Sequence, residues 1–150
     1  MSTVDSGQPT DLTDRNVRVV EQCMRALQQK DYATVVHLLD ANVTLVQPLT
    51  LSGKATPDFR ADGKDAVLAY VQNVFANMAQ IQFVNQRLTQ AQDAAIVFLE
   101  ASGDFLTASD VPYNNVYIFK FSVHNGMITE IVEYANPVTF ALTFGVPPGK

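Results

Sequence analysis

The chain has 150 residues, 47% hydrophobic and 17% charged, with a formal net charge of −5. That length supports one domain with a core that needs no staples. The ten scattered Lys and Arg residues make a poor phosphate-binding surface, and no apolar run reaches the ~18–20 residues that span a bilayer. Cys23 is the single cysteine, so no internal disulfide forms and a reducing cytoplasm fits best. These features lead us to expect neither a nucleic-acid nor a membrane partner.

Residues 1–11 are small and polar and read as a flexible tail, with the domain over 12–146 and a second tail at 147–150. Asp11 or Thr13 can cap a helix running to about Gln29, with Val17, Val20, Met24 and Leu27 on one stripe. Lys30-Asp31 interrupts it, and a shorter helix carries Tyr32, Val35, Val36, Leu38 and Leu39. Residues 43–47 read as a strand that stops at Pro48, followed by a Pro-, Gly-, Ser- and Asp-rich loop over 49–63. Asp62 and Asp65 resemble a capping box for a third helix with Val67, Leu68, Val71, Val74, Phe75 and Met78 inside. Strands are expected at about 81–89 and 94–103. Two longer ones follow over 113–137, joined at Asn125-Gly126, whose tolerance of positive φ is the strongest short hairpin signal. Residues 138–146 form a short apolar tail. Helices followed by hairpin-type strands predict an α+β fold with an antiparallel sheet covered on one side.

Period two then selects the residues that meet the interior. On the first arm of the hairpin Tyr113, Asn115, Tyr117, Phe119, Phe121 and Val123 share a face. On the second arm Thr129, Ile131, Glu133 and Ala135 share one face, and Ile128, Glu130, Val132 and Tyr134 the other. If the first set turns inward, Glu133 is a carboxylate on an apolar wall; if the second does, Glu133 faces outside. The expected lining of a pocket between sheet and helices is Tyr117, Phe119, Phe121, Ile131, Glu133 and Ala135. Phe98 and Glu100 from the preceding strand, Phe75 from the third helix, and Cys23 and Leu27 from the first helix join it. Such a lining suits a small hydrophobic ligand. His37 reads as a partly buried structural residue and His124, beside the turn, as solvated.

The run Tyr113-x-Asn115-x-Tyr117-x-x-x-Phe121, Gly126-x-Ile128 and Glu133-x-x-Asn136-Pro137 resembles the SnoaL-like, polyketide cyclase-type branch of the nuclear transport factor 2-like superfamily. Within it the phenazine-biosynthesis A/B type is the nearest likeness. The N-terminal half agrees more loosely, through Lys30-Asp31-Tyr32 and Gly63-Lys64-Asp65. The resemblance implies a cone-shaped α+β barrel, three N-terminal helices against a strongly curved, mostly antiparallel sheet, a homodimer through the sheet, and a pocket inside. The residues themselves show no metal set or nucleophile triad, so neither a metal nor a cofactor is expected. Ketosteroid isomerases in the superfamily carry a tyrosine where Cys23 stands and an acid near Gln47, so that apparatus is not matched. The cyclase-like branches place a working carboxylate at the position of Glu133. Their phenazine-type members add a histidine in the third helix, where Tyr70 is the candidate replacement. Glu100 and Ser102 share a face and are a weak match to the water-orienting residues of epoxide hydrolases.

A carboxyl among Phe119, Phe121 and Ile131 loses hydration that its charged form needs, so its pKa should rise. We expect Glu133 to be the general acid/base, with Tyr117, Asn115 or Gln47 donating to a carbonyl oxygen as it gains enolate character. That chemistry serves an isomerase, a cyclase or a dehydratase acting on a hydrophobic carbonyl compound. The alternative is a non-catalytic ligand-binding or dimeric interaction module of the same fold.

Overall fold

In the computed structural model residues 12–145 are described. The expected tails over 1–11 and 147–150, together with residue 146 and the Asp11 cap, lie outside them. Helix α1 (Leu12–Gln29) is long and amphipathic, and it buries Val20, Cys23, Met24 and Ala26 against the sheet. Thr13 lies within this helix. Asp31 caps α2 (Tyr32–Leu38) by accepting from the Thr34 backbone N–H. Helix α3 (Lys64–Asn77) starts at Gly63 without a side-chain cap. The Asp62–Asp65 capping box is therefore not formed: Asp62 ends a strand and pairs with Arg60 instead. Among the described residues no helix is long and apolar enough to cross a membrane.

Six strands form the main sheet in the order β2 (Phe59–Asp62), β1 (Leu39–Gln47), β9 (Met127–Ala135), β8 (Val116–His124), β5 (Ile96–Gly103), β4 (Phe83–Gln90). Only β1 and β9 run parallel; the other neighbours are antiparallel. A small sheet of β3 (Met78–Gln80), β6 (Phe105–Thr107) and β7 (Pro112–Tyr113) closes one end. This is the expected α+β cone, with four short strands that sequence pattern missed: β2, β3, β6 and β7 are too brief to show a period, and the strand expected from Tyr113 is broken at residues 114–115, leaving Tyr113 in the small sheet while β8 starts at Val116. The apolar segment after Asn136 is a further helix, α4 (Pro137–Phe144), with Asn136 as its cap and Pro137 in its first turn.

Asn125 and Gly126 both take positive φ, 53° and 77°, the pattern that a two-residue hairpin turn demands. Close to the turn the pairing slips. Ser122 faces Glu130, but Val123 faces Ile128, so Thr129 is the extra residue of a bulge. The bulge breaks the parity that assigned Ile128 to the outer face; Ile128 is fully buried and shares the interior with Ile131. Beyond it the register is regular, pairing Phe121 with Ile131 and Phe119 with Glu133.

Aromatic rings fill the interior beside this hairpin. Phe83 meets Phe105, Tyr117 and Phe119 edge-on at centroid distances of 5.1, 5.3 and 5.7 Å, and Tyr117 stacks on Phe119 at 5.4 Å. Gly103 is the contact that lets this cluster close. A Cβ there would lie 2.8 Å from Tyr117 Cε2 and 3.2 Å from Phe105 Cε1. Gly103→Ala should cost about 1–3 kcal/mol by overpacking, read as a fall of several degrees in Tm by calorimetry; an unchanged Tm would show that the rings can separate freely.

Candidate active site

Two carboxylates on β9 lie three residues apart and meet opposite environments. Glu130 points outward, accepting from Ser122 Oγ at 3.0 Å and pairing with Lys120 Nζ at 3.2 Å. Glu133 stands on the other face, opposite Phe119, in a strand whose inward neighbour Ile131 is buried. The lysine that draws Glu130 out thus leaves Glu133 within, the first of the two faces considered above.

The adjacent parallel strand supplies the first partner of Glu133. Gln47, at the end of β1, donates from Nε2 to Glu133 Oε1 at 3.2 Å and to the Tyr70 hydroxyl at 2.9 Å. Tyr70 on α3 also hydrogen-bonds the carboxyl. Because its oxygen accepts from Gln47, its own proton is available to Glu133. Burial raises the Glu133 pKa above the ordinary carboxylate value, and the Gln47 and Tyr70 donors pull it part of the way back. Tyr70 is pushed well up, first by burial and then by the Glu133 charge. Its ring rests on Phe59 of β2 at 4.9 Å. Glu133 as a residue keeps partial exposure.

A second polar group lies farther along the same face. Asn115 is 3% exposed and bonded at both ends of its amide. Its Oδ1 accepts from the backbone N–H of Val116 at 2.8 Å and of Asn136 at 3.1 Å. Its Nδ2 donates to the Asn136 carbonyl at 3.1 Å and the Tyr113 hydroxyl at 2.7 Å. Tyr113 and Tyr117 are hydrogen-bonded to each other, and both are within electrostatic reach of Glu133. Burial is the largest cause raising each of them.

The structure therefore brings Glu133, Gln47 and Tyr70 together, with Tyr117 and Asn115 in an adjoining cluster and Phe119, Phe121 and Ile131 as the apolar wall. Tyr113 was missed as a site residue, although it heads the same period-two row as Asn115 and Tyr117. Phe98 and Glu100 do not belong. On β5 the inward residues are Val97, Leu99 and Ala101, so parity turns Phe98 and Glu100 outward, opposite Lys120 and Ile118. Glu100 and Ser102 line a groove of about 630 Å³ on the outer face with Ile118 and Tyr134. Cys23 is a buried core thiol pushed up to about 12 by desolvation, and Phe75 and Leu27 pack against the core from their helices. His37 is exposed, as is His124. Among the described residues no three His, Cys, Asp or Glu side chains gather as metal ligands.

This geometry agrees with what the chain is similar to. The SnoaL-like domain profile matches residues 20–131, and the chain belongs to that family. Among solved structures it is similar to a protein from Bacillus subtilis provisionally named an isomerase, at 21% identity and a TM-score of 0.78 over 92% of this chain and 98% of that one. A phenazine biosynthesis-related protein from Pseudomonas aeruginosa aligns at 17% identity and a TM-score of 0.75, covering 98% of this chain and 92% of that one. A protein from Xanthomonas campestris pv. campestris provisionally named a polyketide cyclase aligns at 19% and 0.70, covering 87% and 96%. No curated protein matches in sequence. At these identities the solved structures speak for the fold.

The raised pKa of Glu133 has a consequence for stability. An acid with a higher pKa folded than unfolded binds more protons in the native state between those two values, so its contribution is fully present below the unfolded pKa and is lost as pH rises through the folded one. The window opens near the ordinary value of 4.5 and extends upward from it. Glu133→Gln should therefore gain stability relative to wild type as pH climbs through that window, measured as the difference in Tm across a pH series. A difference independent of pH would mean that the carboxyl is not desolvated.

Proposed function

We propose that this SnoaL-like chain is a small-molecule enzyme in which Glu133 moves a proton on a hydrophobic carbonyl compound, by isomerisation, cyclisation or dehydration. One observation carries the reading: Glu133 is a desolvated carboxyl on an apolar wall, held by the neutral donors Gln47 and Tyr70. A buried carboxylate used only for structure would be matched by a cation; neutral donors fix its position and leave it basic. The raised pKa brings its charged and neutral forms closer to balance near neutral pH, as proton shuttling requires. In the reaction the carboxylate takes a proton beside the carbonyl and returns it at a second position. Tyr117 and Asn115 belong to the polar cluster that meets the charge developing on oxygen. The provisional isomerase and cyclase names of similar structures support the class of chemistry.

A screen of small aromatic and polyketide-like ketones should find turnover that Glu133→Gln lowers by roughly 10²–10⁴, with substrate binding largely kept. Equal turnover by both proteins would remove Glu133 from the mechanism.

A second reading, a non-catalytic ligand-binding or interaction module of the same fold, draws on the outer sheet face. Val116, Ile118 and Tyr134 are 60, 43 and 39% exposed there, beside Leu49 and Pro137 of the outer groove. We assign this face to a second copy of the chain, a homodimer through the sheet, which is compatible with catalysis inside each copy. Ile118→Lys should convert a dimer to a monomer in sedimentation velocity; a wild-type monomer at micromolar concentration would overturn the assignment.

A further inference from the structure

We propose that the amide oxygen of Gln47 accepts from a hydroxyl on the substrate, so that the site takes a carbonyl compound carrying a hydroxyl at its polar end. The proposal rests on the reading of Glu133 as the acid/base and narrows the class of molecule on which it acts.

Gln47 stands where the row of β1 side chains calls for an apolar residue. Val43 and Leu45 on the same face are buried core, and Gln47 is the next in that period. The parallel register sets Val46 beside Val132, which brings Gln47 next to Glu133. Its amide spends both protons there, one on Glu133 Oε1 at 3.2 Å and one on the Tyr70 hydroxyl at 2.9 Å. Turned the other way, the amide would set its oxygen against the carboxylate, acceptor against acceptor. The ionised acid therefore fixes the orientation. Tyr70 is fixed too: its ring rests at 4.9 Å on Phe59, the residue paired with Gln47 across β1 and β2.

What remains of the amide is Oε1. Among the described residues no donor takes it. It is also not a sealed atom, because the one buried side-chain oxygen left unpaired among those residues is Gln90 Oε1. Gln47 is half-buried, so its oxygen is open to a group from outside the chain. The trigonal geometry of an amide puts Oε1 about 2.2 Å from Nε2, and therefore within roughly 5.5 Å of Glu133 Oε1. One small molecule can meet both.

A free acceptor selects a donor. A substrate hydroxyl satisfies Oε1, whereas an ether or a second carbonyl at that point sets two acceptors together and leaves both unpaired. Gln47 is thus an acceptor toward the substrate and not the donor expected from sequence, since neither of its protons is spare. The same chemistry bears on the reaction. A departing hydroxyl needs a proton, and Oε1 has none to give. The hydroxyl held there is retained, with no bond to it formed or broken, while Glu133 takes and returns a proton on the carbon beside the carbonyl.

The test compares 3-hydroxyacetophenone with its methyl ether, 3-methoxyacetophenone, by calorimetric titration, and follows exchange of the ketone methyl protons in heavy water by NMR. Wild type should bind the hydroxyl compound roughly 3–10-fold more tightly, the scale of one neutral hydrogen bond. Gln47→Met keeps the length of the side chain without the acceptor and should lose that preference. If Gln47 only holds Glu133, the substitution weakens both ketones alike and the preference survives, which overturns the proposal. Should Gln47→Met fail to fold, Gln47→Glu keeps an acceptor in the same place; a retained preference supports the proposal and a lost one overturns it. Wild type that binds both ketones alike, or neither, also overturns it. Methyl exchange reports on Glu133 separately and should fall by roughly 10²–10⁴ in Glu133→Gln. Exchange that falls in the absence of any hydroxyl preference overturns the acceptor assignment and leaves Glu133 standing. Equal exchange in both proteins, with the preference present, overturns the reading of Glu133 while the acceptor assignment stands.

Discussion

A one-residue bulge near the base of β9 governs what the interior contains. A strand without it would carry Ile128 on one face and Ile131 with Glu133 on the other, and one of those sets would have to be wasted on solvent. The extra residue at Thr129 places Ile128, Ile131 and Glu133 on a single face. The fold thus obtains an apolar anchor at the hairpin end and a carboxyl at the other end of the same strand. Lys120 and Ser122 secure the register from outside by binding Glu130. A slip of one residue would bury Glu130 with its ion pair broken and expose Ile131, so the polar face guards the site as firmly as the apolar one does.

The electrostatics of the site follow from what surrounds the carboxyl. A guanidinium or ammonium beside Glu133 would fix its charge and lower its basicity. Gln47 and Tyr70 hold its oxygens without adding charge, so burial prevails and the pKa rises. Each donor also lies on a separate element, β1 for Gln47 and α3 for Tyr70, so the helix layer and the sheet must be in register for the carboxyl to be held. That dependence ties the chemistry to the packing of the whole domain, in keeping with supported sites on rigid elements.

Much of this was legible in the sequence where a period was long enough to count. The Asn125-Gly126 turn and the row from Tyr117 to Val123 follow from turn chemistry and alternation, whereas alternation left the face of Glu133 open and the family resemblance pointed it inward. The failures have local causes. Ile128 was misassigned because a bulge leaves no mark in composition. Phe98 and Glu100 were assigned to the wrong face because their strand alternates apolar residues on both sides, with Val97, Leu99 and Ala101 inside and Phe98 outside. Asp62 looked like a cap because its spacing to Asp65 suits one, but it completes a short strand and Gly63 begins the helix. Gln47 and Tyr70 were candidates with no way of knowing that they meet each other; their contact spans 23 residues and two elements.

The polar groups of the interior are not spread evenly, and that asymmetry bears on the substrate. Phe83, Phe105, Phe119 and Phe121 form a wall that can offer only contact area, whereas Glu133, Gln47 and Tyr117 lie toward the ends of their strands, with Tyr70 on α3 and Asn115 in the link before β8. A ligand complementary to these groups is apolar over most of its surface and carries oxygen at one end. A carbonyl with an acidic C–H beside it meets that description, because the carbon that loses the proton and the oxygen that receives the electrons are separated by only two bonds. A hydroxyl-rich molecule does not, as its many polar groups would lie unpaired against the aromatic wall at a cost of about 1–3 kcal/mol each. The same penalty that raises the pKa of Glu133 thus selects what can approach it.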